Sequence, residues 1–221
     1  MVRFRDRSEA GQRLADRLLE HFEIGDLVRP LVLALPRGGL PVAFEVARRL
    51  HAPLEVFVAR KVGAPGHSEY GIGAVAEGGS VVADPELLRA LGMGRHRFEQ
   101  LVEKEREEID RRVRSYRGDR ALPDLPGRDV VLVDDGLATG VTAQAALLDL
   151  RTRHPGRLIL TAPVCPPDTA ERLARIADEV VFDLVPTDFV AVGRWYRHFD
   201  QVTDAEVNDL LTRAATFRDK P

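Results

Sequence analysis

Hydrophobic residues follow two different periods along this chain. Mainly apolar runs, typical of strands buried on both faces of a parallel sheet, occupy residues 31–35, 54–59, 130–133, 158–162 and 180–184. Apolar residues at helical spacing occupy residues 8–19, 40–50, 95–116, 139–150 and 168–176. Because strands and helices alternate, the pattern predicts an α/β fold with a doubly wound, mainly parallel sheet.

Residues 62–79 interrupt this alternation, and we expect them to form a flexible loop. Within them, residues 63–71 contain too many turn formers to predict regular structure. Short strands over 73–76 and 80–83 flank two glycines and predict a hairpin.

The helix predicted over 95–116 has an apolar stripe and a densely charged remaining face. Its arginines could grip a nucleic acid. Alternatively, the helix is a solvated amphipathic one whose Glu and Arg side chains pair with each other. We favour the second interpretation, because acids and bases are interleaved along the face.

Composition and charge narrow the class of protein further. A length of 221 residues suits one α/β domain over 1–221 with a small appendage. The net charge is −3 and no basic tract or 18-residue apolar run occurs, so we expect no nucleic-acid partner and no membrane span. The single cysteine, Cys165, forms no internal disulfide, and with no signal-like segment we expect a cytoplasmic protein. No His and Cys cluster has metal-ligand spacing.

Residues 130–142 join a buried strand, two acids and a small-residue turn before a helix. Asp134 and Asp135 follow the strand, and the first N–H groups of the helix have no helical partner. Those groups, with the hydroxyls of Thr139 and Thr142, would cradle a phosphate. The acids would accept hydrogen bonds from vicinal hydroxyls or hold Mg2+ through water, so a ribose 5-phosphate fits both halves. The alternative is an ordinary strand-to-helix connection with a capping Asp or Thr; dinucleotide and Walker spacing are absent.

Two further loops are expected at the same edge of the sheet. Residues 36–39 and 60–71 each follow a predicted strand, and open parallel sheets bind ligands beyond the carboxyl ends of their strands. Arg37 precedes Gly38 and Gly39, which places a forked cation beside backbone that can approach an anion closely. This suits pyrophosphate, and the alternative is a turn with a surface arginine.

The residues over 130–142 resemble the 5-phosphoribosyl-1-pyrophosphate (PRPP) signature of the type I phosphoribosyltransferases, in which apolar residues precede two acids and a Thr-Gly-x-Thr loop. The resemblance implies that the two acids bind the ribose hydroxyls. It implies that the 5-phosphate is bound by Gly136, Ala138, Thr139, Gly140, Val141 and Thr142. Arg37, Gly38 and Gly39 would form the pyrophosphate loop, which in this family is often built on an unusual cis peptide. Lys61, at the end of the second predicted strand, would be the family's basic residue near pyrophosphate or else an exposed lysine.

A narrower resemblance, to the adenine phosphoribosyltransferases, rests on the segments Arg37-Gly38, Arg60-Lys61, Pro65-Gly66 and Glu69-Tyr70-Gly71. In those enzymes the last triplet lies on a flexible loop that covers the reaction centre. Glu69 and Tyr70 are therefore candidates for proton handling and transition-state contact, and the alternative is a tyrosine that only packs. The intervening segment is shorter here than in the adenine enzymes.

Residues 188–196 are similar to the hood of the hypoxanthine-guanine phosphoribosyltransferases, where an aromatic residue stacks on the purine. Phe189, Val190 and Trp195, or Tyr196, are therefore candidates for contact with a base, although aromatic residues near a terminus also often belong to the core. The resemblance places the hood at about 185–200 together with the N-terminal segment.

Ala138 leaves the acceptor base open. The hypoxanthine-guanine enzymes have an acid directly before Thr-Gly, where the adenine enzymes and this chain have alanine. The signature and the hood therefore favour different bases.

Taken together, the residues and the resemblance predict a Mg2+-dependent transferase. It would move the 5-phosphoribosyl group of PRPP to a nitrogen nucleophile, a purine-like base, and release pyrophosphate. Mg2+ would arrive with the pyrophosphate and could also meet Asp134 and Asp135. The resemblance further implies a homodimer acting in purine salvage. The alternatives are a regulatory protein that senses PRPP or a nucleotide, and a PRPP synthetase, which would need an ATP site and a second related domain.

Overall fold

A computed structural model describes residues 3–22 and 25–217, the side chains of 67–70 excepted. The strands are β1 (Leu31–Ala34), β2 (Leu54–Val56), β3 (Ala59–Ala64), β4 (His67–Ala76), β5 (Val81–Ala83), β6 (Asp129–Val133), β7 (Arg157–Val164) and β8 (Glu179–Leu184). The helices are α1 (Arg7–His21), α2 (Gly39–Leu50), α3 (Pro85–Ala90), α4 (Arg95–Arg117), α5 (Val141–Arg151), α6 (Pro167–Leu173) and α7 (Asp204–Ala214), with a short 3₁₀ turn at Val192–Trp195.

Five strands form a central, wholly parallel sheet in the order β2-β1-β6-β7-β8. The chain first moves from β1 to the β2 edge, and then from β6 outward to the β8 edge. The strand order therefore reverses between β1 and β6, which confirms the predicted doubly wound α/β class. Ligands of such sheets lie at the carboxyl ends of the two strands that flank this reversal.

Successive residues of the central strands bury opposite faces of the sheet, as a period of two requires. Val32 and Val131 belong to a core shared with α1 and α2. Leu33 and Leu132 belong to a second core that includes α5. Helices on both faces therefore explain why these strands are apolar at every position.

A second, antiparallel sheet of β3, β4 and β5 corrects two sequence predictions. The run over 54–59 is not one strand, because β2 ends at Val56 and β3 starts at Ala59. Residues 63–71 are not irregular: Pro65 and Gly66 form the turn, and backbone pairing continues beside them with shifts of register. The hairpin predicted over 73–83 is confirmed by β4 and β5. Flexibility of 62–79 stays a prediction.

The long helix α4 is the solvated amphipathic helix that its pattern favours. Its buried stripe consists of Phe98, Val102, Ile109 and Tyr116. On the charged face, Glu108 accepts hydrogen bonds from Arg111 and Arg112. Pairing within the helix therefore uses charges that a nucleic acid would need. No helix in the described ranges is long and apolar enough to cross a membrane.

The N-terminal segment pairs with the chain beyond the central sheet. Phe4 donates its N–H to the Trp195 carbonyl at 2.8 Å, and Arg197 donates to the Phe4 carbonyl at 2.8 Å. Helix α1 is capped by Asp6, whose side chain accepts the Glu9 N–H. This pairing holds the start of α1 beside residues 185–200, which we call the hood.

Candidate active site

Asp134 and Asp135, the acid pair, lie where β6 ends, next to the reversal of strand order. Asp134 Oδ1 accepts the Asp135 backbone N–H at 2.8 Å, and the Asp134 N–H reaches the Thr161 carbonyl at 3.3 Å. Both acids are half-buried. The strand end thus fixes two carboxylates at the sheet edge where a ligand is expected.

Burial raises the pKa of both members of the acid pair. For Asp134 the neighbouring charge of Asp135 adds to the effect, and its pKa lies well above the ordinary range. For Asp135 burial also raises the pKa, but Arg7 opposes it. Hydrogen-bond donors or a cation would favour the ionised forms, so the pair is suited to a ligand that supplies them.

Asp135 is held by Arg7, which lies outside the predicted motifs, and by Tyr196 of the predicted hood. Arg7 Nε donates to Asp135 Oδ2 at 2.8 Å, and the two side chains are 12% and 14% exposed. Tyr196 donates its hydroxyl to the Asp135 carbonyl at 2.5 Å, and burial raises the pKa of this phenol. Phe199 stacks on Tyr196 with ring centroids 4.9 Å apart. The N-terminal segment and the hood therefore both contact one signature acid.

The signature loop, residues 136–142, is held in place by contacts with helix α6. Thr169 donates its hydroxyl to the Ala138 carbonyl at 2.8 Å, and Arg172 donates to the Thr139 carbonyl. Gly140 has φ +63°, a left-handed conformation that favours glycine, and a Cβ there would lie 2.7 Å from Thr169 Cγ2. The loop can therefore turn into α5 while packed closely on α6.

The start of α5 offers the backbone donors that the sequence predicts. Gln144 makes a helical hydrogen bond to the Gly140 carbonyl at 2.8 Å. The N–H groups of Val141, Thr142 and Ala143 precede it and belong to the first turn, which has no intrahelical acceptors for them. Ala138 and Thr139 are exposed. This geometry suits an anion at the helix start.

Pro36, Arg37, Gly38 and Gly39 form a segment that we call the arginine-glycine loop. This loop packs directly against the acid pair. The Pro36–Arg37 peptide bond is cis. A Cβ on Gly38 would lie 2.1 Å from Asp135 Oδ2, and a Cβ on Gly39 would lie 2.8 Å from the Val133 carbonyl oxygen. Only residues without a side chain fit here, so both glycines are explained by close approach.

Arg37 itself extends toward the start of α7. Its guanidinium lies 3.5 Å from Asp204 Oδ1, and both side chains are about one third exposed. Tyr116 donates its hydroxyl to the same carboxylate oxygen at 2.6 Å, and Arg111 lies 3.7 Å from Oδ2. Asp204 therefore joins the arginine-glycine loop to α4 and α7, a contact that no motif indicates.

Lys61 does not end the second strand of the central sheet, as predicted, but lies inside β3. A Cβ on Gly71 would lie 2.6 Å from Lys61 Cδ, so the lysine stem crosses the neighbouring strand at that glycine. Lys61 and Lys104 line an open cleft between β3 and α4. The predicted contact of Lys61 with pyrophosphate stays a prediction.

The predicted base contacts differ in exposure. Trp195 is 6% exposed and packs in a core cluster with Phe4 and Val164, which corrects its assignment to a stacking position. Phe189 is half-buried against the same cluster, while Val190 is 67% exposed. A hood ring that contacts the acid pair is Tyr196, through its hydrogen bond to the Asp135 carbonyl, and Phe199 stacks on that ring.

Glu69 and Tyr70, the candidates for proton handling, belong to β4 by their backbone. Their side chains lie outside the described part of the structure. Their predicted roles therefore rest on the sequence.

Comparison with known proteins identifies the family. A family model described as a phosphoribosyl transferase domain matches residues 6–194. Two Mycobacterium tuberculosis proteins, from strains CDC 1551 and H37Rv, are each 42% identical over 214 residues, and their names give them provisionally as phosphoribosyl transferases. The match covers 97% of this chain and 47% of theirs, so the chain spans about half the length of these curated relatives.

Solved structures agree on the fold. The protein TT1426 from Thermus thermophilus is 45% identical with a TM-score of 0.77, and the match covers 96% of this chain and 99% of that one. A hypothetical protein from Neisseria gonorrhoeae, crystallised with bound ppGpp, has a TM-score of 0.50 at 13% identity over 96% of both chains, and shows the fold alone. With the family model matching residues 6–194, this chain belongs to the phosphoribosyl transferase domain family.

Proposed function

We propose that this chain transfers the 5-phosphoribosyl group of PRPP to a nitrogen atom of a purine-like base and releases pyrophosphate. The observation that carries the proposal is the contact between the arginine-glycine loop and the acid pair, where Gly38 lies against Asp135 Oδ2. A cation-bearing loop and two hydroxyl acceptors thereby meet at one edge of the sheet. PRPP carries its pyrophosphate and its vicinal hydroxyls on the same sugar ring, and so requires such an arrangement.

Each part of PRPP has a matching group. The 5-phosphate would accept hydrogen bonds from the N–H groups at the start of α5 and from the hydroxyls of Thr139 and Thr142. The ribose hydroxyls would donate to Asp134 and Asp135. The pyrophosphate would lie at the arginine-glycine loop, within reach of Arg37.

In the proposed reaction, a base nitrogen forms a bond to the anomeric carbon as the bond from that carbon to pyrophosphate oxygen breaks. The electron pair leaves with pyrophosphate, and positive charge develops on the ribose ring. Asp134 and Asp135 stabilise that charge, and Arg37 stabilises the leaving group. The proton that the glycosidic bond displaces goes to Glu69, or passes through another nitrogen of the base to water, because Ala138 provides no acid before Thr139.

The donor groups at this edge fit a Mg2+ ion that arrives with its ligand. Within residues 3–22 and 25–217, no group of three or more His, Cys, Asp or Glu side chains could hold a metal ion. Two carboxylates and the oxygens of pyrophosphate would complete a hard oxygen shell. Mg2+ bound there would neutralise charge on the departing pyrophosphate.

Calorimetry with PRPP and Mg2+ tests the site. The double variant Asp134→Asn with Asp135→Asn should bind PRPP roughly 100-fold more weakly, because neutral amides accept hydrogen bonds from the ribose hydroxyls less strongly. Glu171→Gln, which removes an exposed acid on α6, should leave the affinity unchanged. Equal affinity in the double variant would contradict the ribose assignment.

Pyrophosphate release with a panel of purine and pyrimidine bases tests the reaction. We expect release with at least one purine. Tight PRPP binding without release for any base would overturn transfer and favour a regulatory protein that senses this ligand. Homodimer formation, a cytoplasmic location and a role in purine salvage stay predictions.

A further inference from the structure

Arg7 reaches the candidate site because of how α1 is fixed. Asp6 caps the helix, so α1 begins at Arg7. At Gly11 the helix lies so close to α2 that a Cβ would be 2.7 Å from the Val42 carbonyl oxygen. Ser8 also donates a hydrogen bond to Glu45 of α2 at 2.9 Å. The first turn of α1 is therefore held beside the arginine-glycine loop, which leads directly into α2.

Three groups surround the Arg7 guanidinium. Its Nε donates to Asp135 Oδ2 at 2.8 Å, and a second nitrogen donates to the Asp200 carbonyl at 2.7 Å. The guanidinium carbon lies 3.9 Å from the centroid of the Phe199 ring. Gly38 also lies close to this oxygen, since a Cβ there would be 2.1 Å from it. Asp135 Oδ2 thus has both a cation and backbone next to it.

We propose that Arg7 is a positioning residue of the ribose site: it fixes and neutralises the Asp135 carboxylate, so that the acid pair holds a divalent cation only when a pyrophosphate-bearing ligand brings it. This inference rests on the proposed function for the identity of that ligand. It concerns the chain's own residues, and it assigns a site role to a side chain outside the signature.

Charge balance is the physical basis. A divalent cation prefers several anionic oxygens, and two adjacent carboxylates would otherwise begin such a site. Here one of them already has a fixed positive partner, and a second cation would be repelled by Arg7 at short range in a partly buried setting. Pyrophosphate brings enough negative charge to reverse that balance.

Equilibrium dialysis with Mn2+ as the probe tests the inference on the unmodified protein. Mn2+ retained on the protein side is measured with the protein alone, with ribose 5-phosphate, and with PRPP. We expect retention with PRPP, and at least about tenfold weaker retention in the other two arms. Equal retention without any ligand, or with ribose 5-phosphate, would overturn the proposal.

Variants locate the effect. Arg7→Met should gain at least about tenfold in Mn2+ affinity without ligand, since both carboxylates then lack a cation. The added change Asp135→Asn should remove that gain. Arg13→Met is the matched control, because Arg13 lies on the same helix but pairs with a different acid, Asp183, at 2.8 Å. A folded Arg7→Met protein with no gain would refute the role, since loss of a merely structural arginine creates no metal site.

The outcomes separate this inference from the proposed function. Failure of the wild-type protein to bind PRPP would refute the proposed function, and the ligand-free Mn2+ comparison would still decide the role of Arg7. Mn2+ retained with PRPP in the absence of turnover would refute transfer and leave the positioning role supported. If Arg7→Met does not fold, Mn2+ retained equally by the wild-type protein without ligand would still refute the proposal.

Discussion

Arg7 and Arg37 each form an ion pair with a carboxylate in a different region of the candidate site, and the two ion pairs differ in length and exposure. The Arg7–Asp135 pair is 2.8 Å long and 12% and 14% exposed, whereas the Arg37–Asp204 pair is 3.5 Å long and 33% and 36% exposed. A short, covered ion pair resists exchange, and a longer, solvated one is easily replaced. The difference suggests that Arg7 maintains the site and that Arg37 is available to a ligand.

The largest expected effect separates the two arginines by stability. Arg7→Met should lower the free energy of unfolding by about 3 kcal/mol, because it leaves Asp135 buried without its partner. Arg37→Met should lower it by less than about 0.5 kcal/mol, because water replaces the lost contact. Urea denaturation of both variants measures the difference. Similar losses would show that the two pairs are equivalent and would remove the basis of the comparison.

The next largest effect is expected at Gly38, which follows Arg37 in sequence and lies against Asp135. A Cβ on Gly38 would lie 2.1 Å from Asp135 Oδ2, an oxygen that Arg7 holds in place. Gly38→Ala should therefore displace the carboxylate and weaken PRPP binding in calorimetry roughly 100-fold, or ~2.7 kcal/mol. Gly94→Ala is the control, since Gly94 has φ −72° and open space around it. Unchanged affinity in Gly38→Ala would mean that Asp135 does not bind ribose in this position.

The two regions also differ in what the sequence could predict. The β6 strand, the acid pair and the start of α5 follow from local pattern, because consecutive residues carry the whole signal. Arg7 is 128 residues from Asp135 in sequence, and its contact depends on the packing of α1 against α2. No periodicity encodes that distance. Arg37 was predicted from its glycines, but not its contact with Asp204.

Two other departures have identifiable causes. Residues 63–71 pair as strands because backbone hydrogen bonds need no side-chain alternation, and the turn itself is confined to Pro65 and Gly66. Helix α7 carried a readable signal that was missed, since Thr203 and Glu206 form a capping box. Trp195 is core because the N-terminal Phe4, remote in sequence, packs over it.

A smaller effect comes from Tyr116, which supports the Arg37 region. Its hydroxyl donates to Asp204 at 2.6 Å, so Tyr116→Phe should lower the free energy of unfolding by about 1.5 kcal/mol at pH 7. Burial, aided by this hydrogen bond, raises the pKa of Tyr116 from 10.0 to about 12. A raised pKa means that the phenol contributes stability below pH 10 that is lost as the pH rises through about 12.

Urea denaturation at several pH values checks both parts of the Tyr116 prediction. The difference in stability between wild type and Tyr116→Phe should shrink between pH 10 and about pH 12. A difference that stays constant over this range would show that the phenol is not the titrating group.

The smallest expected effect tests whether Asp204 competes with the ligand for Arg37. Asp204 Oδ1 is shared by the Arg37 guanidinium and the Tyr116 hydroxyl. Asp204→Asn keeps an oxygen that can accept from Tyr116 but removes the charge that attracts Arg37, so PRPP should bind about threefold more tightly, or ~0.6 kcal/mol. Asp209→Asn, on the same helix and paired with Arg213 at 3.4 Å, should change nothing. Weaker PRPP binding in Asp204→Asn would reverse the interpretation, because it would mean that the carboxylate orients Arg37 toward pyrophosphate instead of withholding it.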